Sequence, residues 1–157
     1  MICVILLCLV LVLVPVEPAN PPTGCVTLMN LYAEKFLTHS YSTHDKNRRH
    51  VSLFGVSEKW NLVKTREGHY TLRHRSLNEE LFESELNYKG NYVFTWIPKS
   101  SVTSGEWDIW ESKPGYFYIQ NVKFKHYLSG TPTVGWVGAY PDKNIYGKSE
   151  WKIQLCE

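Results

Sequence analysis

Gly68-His69-Tyr70-Thr71-Leu72, followed by Leu81 and Trp107, is written two more times in this chain. The other copies read Gly24-Cys25-Val26-Thr27-Leu28 with Leu37 and Trp60, and Gly115-Tyr116-Phe117-Tyr118-Ile119 with Leu128 and Trp151. In every copy an apolar residue follows the glycine by four positions and a leucine by thirteen, so the match is one of spacing as well as type. Val26 and Leu28, Tyr70 and Leu72, and Phe117 and Ile119 alternate with other residues, the period of a strand with one buried face. Trp60-Asn61-Leu62, Trp107-Asp108-Ile109 and Trp151-Lys152-Ile153 close the copies with the same alternation and are assigned to the core. Turn signals recur at Glu67-Gly68, Lys89-Gly90-Asn91, Pro114-Gly115 and Tyr146-Gly147. The chain therefore predicts an all-β domain over residues 24–157, built from repeats at about 24–63, 64–110 and 111–156.

Residues 2–14 form an almost unbroken apolar run followed by Pro15, Pro18 and Pro21-Pro22. Thirteen residues are too few to cross a bilayer and suit the central part of a signal peptide, here placed at residues 1–19. Removing it leaves roughly 135 to 140 residues, one domain with room for a core. Glu17 leaves with it, so fourteen acids face seventeen Lys plus Arg, a charge of +3 with histidine neutral. Such a balance does not point to nucleic acid. Cys3 and Cys8 also leave, and Cys25 and Cys156, at opposite ends of an exported chain, read as one disulfide. The chain has no Asn-x-Ser/Thr sequon, so N-glycosylation is not expected.

Three repeats are few for an open solenoid, whereas closure with threefold pseudosymmetry removes exposed sheet edges. The pattern resembles the β-trefoil, in which three four-strand units make a six-strand barrel capped by three hairpins. The resemblance covers the mature chain and implies strands in the second unit at residues 69–73, 81–85, 92–96 and 106–110. It also implies that the first and last strands lie side by side, which would bring Cys25 and Cys156 together. Asp45-Lys46-Asn47-Arg48-Arg49-His50-Val51 and Asn87-Tyr88-Lys89-Gly90-Asn91-Tyr92-Val93 look like copies of one turn plus strand, with Thr133-Val134-Gly135-Trp136-Val137-Gly138 as a drifted third. Tyr92-Val93-Phe94-Thr95-Trp96-Ile97-Pro98 and the Asn121-Val122-Lys123-Phe124 stretch are similar to a group of small secreted insect β-trefoil proteins.

Catalytic signatures are missing: there is no Gly-x-Ser-x-Gly and no His-Glu-x-x-His, and no cysteine stays reactive if the disulfide forms. Glu79, Glu80, Glu83 and Glu85 fall in a turn and on a strand of mixed polarity, and are expected on a solvated face. The six histidines, His39, His44, His50, His69, His74 and His126, lack a carboxylate or cysteine at ligand spacing, so no metal or other cofactor is expected. Many secreted trefoils resemble ricin-type lectins, which carry Gln-x-Trp near the end of each repeat. Here those positions read Glu58-Lys59-Trp60, Gly105-Glu106-Trp107 and Ser149-Glu150-Trp151, so that site cannot be carried over.

Two ligand signals are left. Lys46, Arg48 and Arg49 on a turn offer forks for sulfate, phosphate or carboxylate, and Tyr88, Trp96 and Trp136 offer rings for stacking on a pyranose. The expectation is a secreted, monomeric, non-catalytic binding protein for a carbohydrate, an anionic glycan or an acidic extracellular surface. The alternative is a protein-binding effector, such as a protease inhibitor or growth-factor-like ligand, engaging through segments 98–105 or 131–133. No membrane span is expected in the mature form.

Overall fold

Each repeat begins on glycine because the chain turns there with a positive φ: 99° at Gly24, 91° at Gly68 and 81° at Gly115. A side chain in this left-handed region costs about 1 kcal/mol or more. The computed structural model describes residues 15–87, 91–131, 137–143 and 145–157. The apolar run at residues 1–14, expected as the core of the leader, lies outside them.

The first repeat supplies β1 (Gly24–Asn30), β2 (Lys35–Thr43), β3 (Arg48–Phe54) and β4 (Trp60–Lys64). The second supplies β5 (Tyr70–His74), β6 (Glu79–Asn87), β7 (Asn91–Trp96) and β8 (Glu106–Lys113). The third supplies β9 (Tyr116–Asn121), β10 (Tyr127–Gly130), β11 (Val137–Tyr140) and β12 (Glu150–Leu155), with a short 3-10 turn at Ile145–Gly147. The outer strands of the repeats pair in the order β1, β12, β9, β8, β5, β4 and back to β1, a closed six-strand barrel. The inner strands form the hairpins β2–β3, β6–β7 and β10–β11, which meet where β7 pairs with both β3 and β11. This is the architecture the repeat predicts, with β6 and β8 longer than expected from sequence. Among the described residues no helix is long and apolar enough to cross a membrane.

The leucine and tryptophan of each repeat are joined by a hydrogen bond. The indole N–H of Trp60 donates to the Leu37 carbonyl at 3.0 Å, that of Trp107 to Leu81 at 3.2 Å and that of Trp151 to Leu128 at 2.9 Å. All six residues are fully buried. A carbonyl left unpaired at such depth costs about 1–3 kcal/mol, which is why an indole, and not merely a large ring, recurs at that position.

A second threefold feature lies six residues after each glycine, at Asn30, His74 and Asn121, all buried. Each accepts a backbone N–H from three residues on: Ala33 to Asn30 Oδ1 at 3.0 Å, Leu77 to His74 Nδ1 at 3.1 Å and Phe124 to Asn121 Oδ1 at 3.2 Å. His74 thus does the turn-forming work of an asparagine. The termini close the barrel seam: Val26 to Asn30 face Leu155 to Trp151, the Cys156 N–H donates to the Cys25 carbonyl at 2.9 Å, and Cys25 and Cys156 are disulfide-bonded.

Three of the four acids depart from their expected solvated position, while Glu85 is exposed as expected. Glu79, Glu80 and Glu83 are 3%, 4% and 0% exposed, because the start of β6 is covered on both faces where the hairpin leaves the barrel. Each finds a donor. Glu79 accepts Arg49 Nε at 2.9 Å and the Thr95 hydroxyl at 2.6 Å, and Glu80 accepts Arg73 at 2.7 Å. Glu83 accepts the Asn91 amide at 2.7 Å and faces His126 Nδ1 at 2.5 Å. Burial pushes the Glu80 and Glu83 carboxyls above the ordinary carboxylate value, partly opposed by these donors. Arg49 and His126 belong to the first and third repeats, so these pairs tie the second repeat to both neighbours.

Candidate functional site

Ladder pairing sets Arg48 opposite Trp96 and Arg49 opposite Thr95, so the basic turn and one predicted stacking ring do meet on the cap. Both guanidinium groups already hold a carboxylate. Arg48 Nε donates to Asp45 Oδ2 at 2.8 Å, and this bond together with the Asn47 N–H holds the Asp45 carboxyl down to about 2. Arg49 forks onto Glu79. An incoming anion therefore competes at each arginine with an acid of the same chain, while Lys46 lies exposed on the turn. Trp96 is partly buried, edge-on to Phe82 at 5.7 Å between centroids, and its indole N–H donates to Ser100 at 3.1 Å. Tyr88 and Trp136 lie outside the described residues. The 98–105 segment is pinned by that Trp96–Ser100 bond, by the Ser104 hydroxyl on the Glu83 carbonyl at 2.6 Å and by the Asn121 amide on the Ser104 carbonyl at 2.8 Å.

The structure adds a site that the sequence reading missed. Residues of β2, β3 and the segment leading into β4 line a cleft of about 450 Å³ on the first repeat, the β2–β3 cleft. Its rim is apolar and open to solvent: Tyr41, Phe54 and Val56 are 93%, 64% and 68% exposed. Its polar lining is Thr38, His39, Ser40, Ser52 and Glu58, with the Thr38 and Ser52 hydroxyls donating to the Ser52 and His39 carbonyls and the Ser40 hydroxyl accepting the Ser42 N–H. Strand alternation places His39 and Tyr41 two residues apart on one side of β2, where the two rings meet edge-on at 5.2 Å.

Glu58 stands where a ricin-type repeat has its glutamine, and here it organises the polar lining. Its Oε2 accepts the His39 N–H at 2.7 Å and His74 Nε2 at 2.9 Å, and its Oε1 faces His39 Nδ1 at 2.8 Å. Burial alone would raise this carboxyl, but the His39 N–H and the two imidazoles outweigh it and hold it below the ordinary value. His39, Glu58 and His74 place potential ligand atoms within 4.8 Å of one another, a constellation that sequence spacing does not reveal. The Leu77 N–H decides what His74 offers to it. With Nδ1 accepting that bond, the hydrogen of a neutral ring sits on Nε2 and points at Glu58, so the nitrogen facing the cluster is a donor and not a metal ligand.

The same geometry makes the contribution of His74 to stability acid-sensitive. Burial lowers the His74 pKa, with Glu58 only partly offsetting it, so below about pH 6.5 the unfolded chain binds a proton that the folded chain refuses. The contribution of His74 to stability therefore falls as pH drops through that value and levels off once the folded ring also protonates, while the raised Glu80 and Glu83 carboxyls act in the opposite direction. Glu58, depressed in the folded state, adds a loss below about pH 4.5. His74→Asn, which installs the residue of the other two repeats, is expected to narrow the melting-temperature gap between about pH 7 and about pH 5.5. An unchanged gap would refute the assignment.

A closed six-strand barrel under three hairpins, with a surface cleft on one repeat and a core given over to structure, defines the chain as a β-trefoil. It belongs to the Cysteine and Tryptophan-Rich (CWRC) family: it shares 42% identity with a salivary protein of that family from Culex quinquefasciatus, over 88% of this chain and 97% of that one, with a TM-score of 0.83. No family profile and no curated sequence matches it. The designed threefold-symmetric protein ThreeFoil matches 85% of this chain and 99% of its own at 17% identity and a TM-score of 0.73. SeviL, solved bound to the asialo-GM1 saccharide, matches 87% of this chain and 100% of its own at 17% identity and a TM-score of 0.64. At that identity the last two likenesses speak for the fold.

Proposed function

We propose that the chain is a secreted, non-catalytic binding protein that takes a neutral carbohydrate in the cleft lined by β2, β3 and the segment after β3. The carrying observation is that a fully presented aromatic, Tyr41, lines the same cleft of about 450 Å³ as His39, Glu58 and three hydroxyl side chains. A pyranose has an apolar face that stacks on such a ring and hydroxyls that exchange hydrogen bonds with carboxylate, imidazole and serine or threonine groups. A neutral sugar fits better than a sulfated one, because Glu58 brings negative charge to the cleft and Arg48 and Arg49 are held by Asp45 and Glu79. Salivary membership of the family and the disulfide support export. A protein-binding role would use the 98–105 segment, whose pinning hydrogen bonds give it the rigidity an inhibitory loop needs.

A glycan array probed with the mature protein tests the reading. At least one neutral glycan should bind, and Tyr41→Ala should weaken it by about tenfold while leaving the melting temperature unchanged. A blank array, or binding indifferent to Tyr41, would overturn the assignment.

A further inference from the structure

Three outward-facing rings at the junction of the second and third repeats form a cage that the fold does not require. Trp110 on β8, Tyr118 on β9 and Tyr127 on β10 are partly buried, with centroids 5.8 Å apart for Trp110 and Tyr118 and 5.9 Å for the other two pairs. The Nζ of Lys143, on the exposed turn after β11, lies over all three: 4.6 Å from the Tyr118 ring, 5.6 Å from Trp110 and 5.8 Å from Tyr127.

Threefold pseudosymmetry supplies an internal control. Trp110 pairs with Tyr118 in the ladder, and the matching pairs at the other two junctions are Val63 with Thr71 and Gln154 with Thr27. Tyr127, twelve residues after its glycine, corresponds to Phe36 and Glu80. Those junctions close the same barrel without three rings, so packing alone does not account for them. Nor does tethering a lysine: Lys64 over Tyr70, Lys113 over Tyr116, Lys123 over Phe124 and Lys148 over Tyr32 each use a single ring. Convergent ring faces sum their negative quadrupoles at one point, which is how proteins hold alkylammonium groups. Glu150, which also faces Lys113 Nζ at 3.7 Å, is the ladder neighbour of Tyr118 on β12 and adds negative potential.

We propose that the Trp110–Tyr118–Tyr127 cage is a binding site for an organic ammonium group, a primary or methylated amine, and that Lys143 is its intramolecular occupant. A ligand enters by displacing the Lys143 ammonium into solvent. The site is remote in sequence from the β2–β3 cleft and independent of what that cleft binds.

Titrating the mature protein and Lys143→Ala with tetramethylammonium chloride, with sodium chloride as the ionic-strength control, tests this by the NMR shift of the Trp110 indole N–H. Removing the tethered competitor should tighten saturable binding on the order of tenfold. The double variant Trp110→Val/Tyr118→Thr, which installs the second junction's own residues, should lose it, read from the shifts of the remaining cage neighbours. Should that variant not fold, Tyr127→Leu gives the same reading. Equal affinity with and without Lys143, shifts no larger than those given by sodium chloride, or binding that survives loss of the rings would each overturn the proposal.

Discussion

Arg49→Ala is expected to destabilise the fold by about 3–5 kcal/mol, measured as a lower urea midpoint at unchanged slope. The Arg49 side chain is 19% exposed and the Glu79 carboxylate beneath it 3%. Two N–H groups fork onto that carboxylate, at 2.9 and 3.2 Å, and the Thr95 hydroxyl supplies a third donor at 2.6 Å. Truncation removes the two charged donors and leaves a buried negative charge with one neutral partner. The cost is therefore that of an uncompensated charge and not of one hydrogen bond. Arg49→Leu combined with Glu79→Gln should recover much of the loss, since both charges leave together. A loss under about 1 kcal/mol would mean that water reaches Glu79 and that the pair behaves as a surface one. Replacing Arg49 therefore disturbs the fold as well as any anion site on the turn, and Lys46→Ser, at an exposed position, is the cleaner probe of anion binding there.

Opening the Cys25–Cys156 bridge, by reduction or as the Cys25→Ser/Cys156→Ser variant, should cost a similar amount. The linked residues are 131 apart, and closing so long a loop restricts the unfolded chain by about 4–5 kcal/mol. Against a typical stability of about 5–15 kcal/mol this is a large share, equivalent to a fall in melting temperature of roughly 10–20 °C. The strands themselves should stay paired in the native state, because five residue pairs join β1 to β12 and each strand has a second barrel neighbour. Far-ultraviolet circular dichroism should thus be native-like at room temperature while the melting point drops. An unchanged melting point would show that β1–β12 pairing already restricts the unfolded ensemble.

The site was less legible than the scaffold, and the reason lies in particular residues. Lys46, Arg48 and Arg49 stood out as a cluster along the chain, yet two of their charges are spent on Asp45, three residues from Arg48, and on Glu79, thirty residues from Arg49. The first partner was visible in the sequence. The second was read as solvated because alternation assigns one face of a strand to water, and β6 has no such face where the cap meets the barrel. Glu58 carried the opposite lesson: its departure from the lectin glutamine was visible, but its two histidines are nineteen and sixteen residues away and announce themselves by no motif. The exposed rims at Tyr41 and Phe54 carried no signal either, since both sit on strands where an aromatic normally reads as core.

Taken alone, the chain specifies three units, a glycine at the head of each, the leucine and tryptophan that close the core, and the cysteines that link the ends. The glycine, leucine and tryptophan recur, the first two at fixed spacing, because each repeat solves the same local problem: one buried strand face and one indole that must find a carbonyl. Tertiary structure alone decided which polar groups meet, namely Arg49 with Glu79, His126 with Glu83, His39 and His74 with Glu58, and Lys143 with three rings. Such encounters depend on how different strands and repeats are set against one another, and a pattern with a period inside one repeat carries no information about contacts across that geometry.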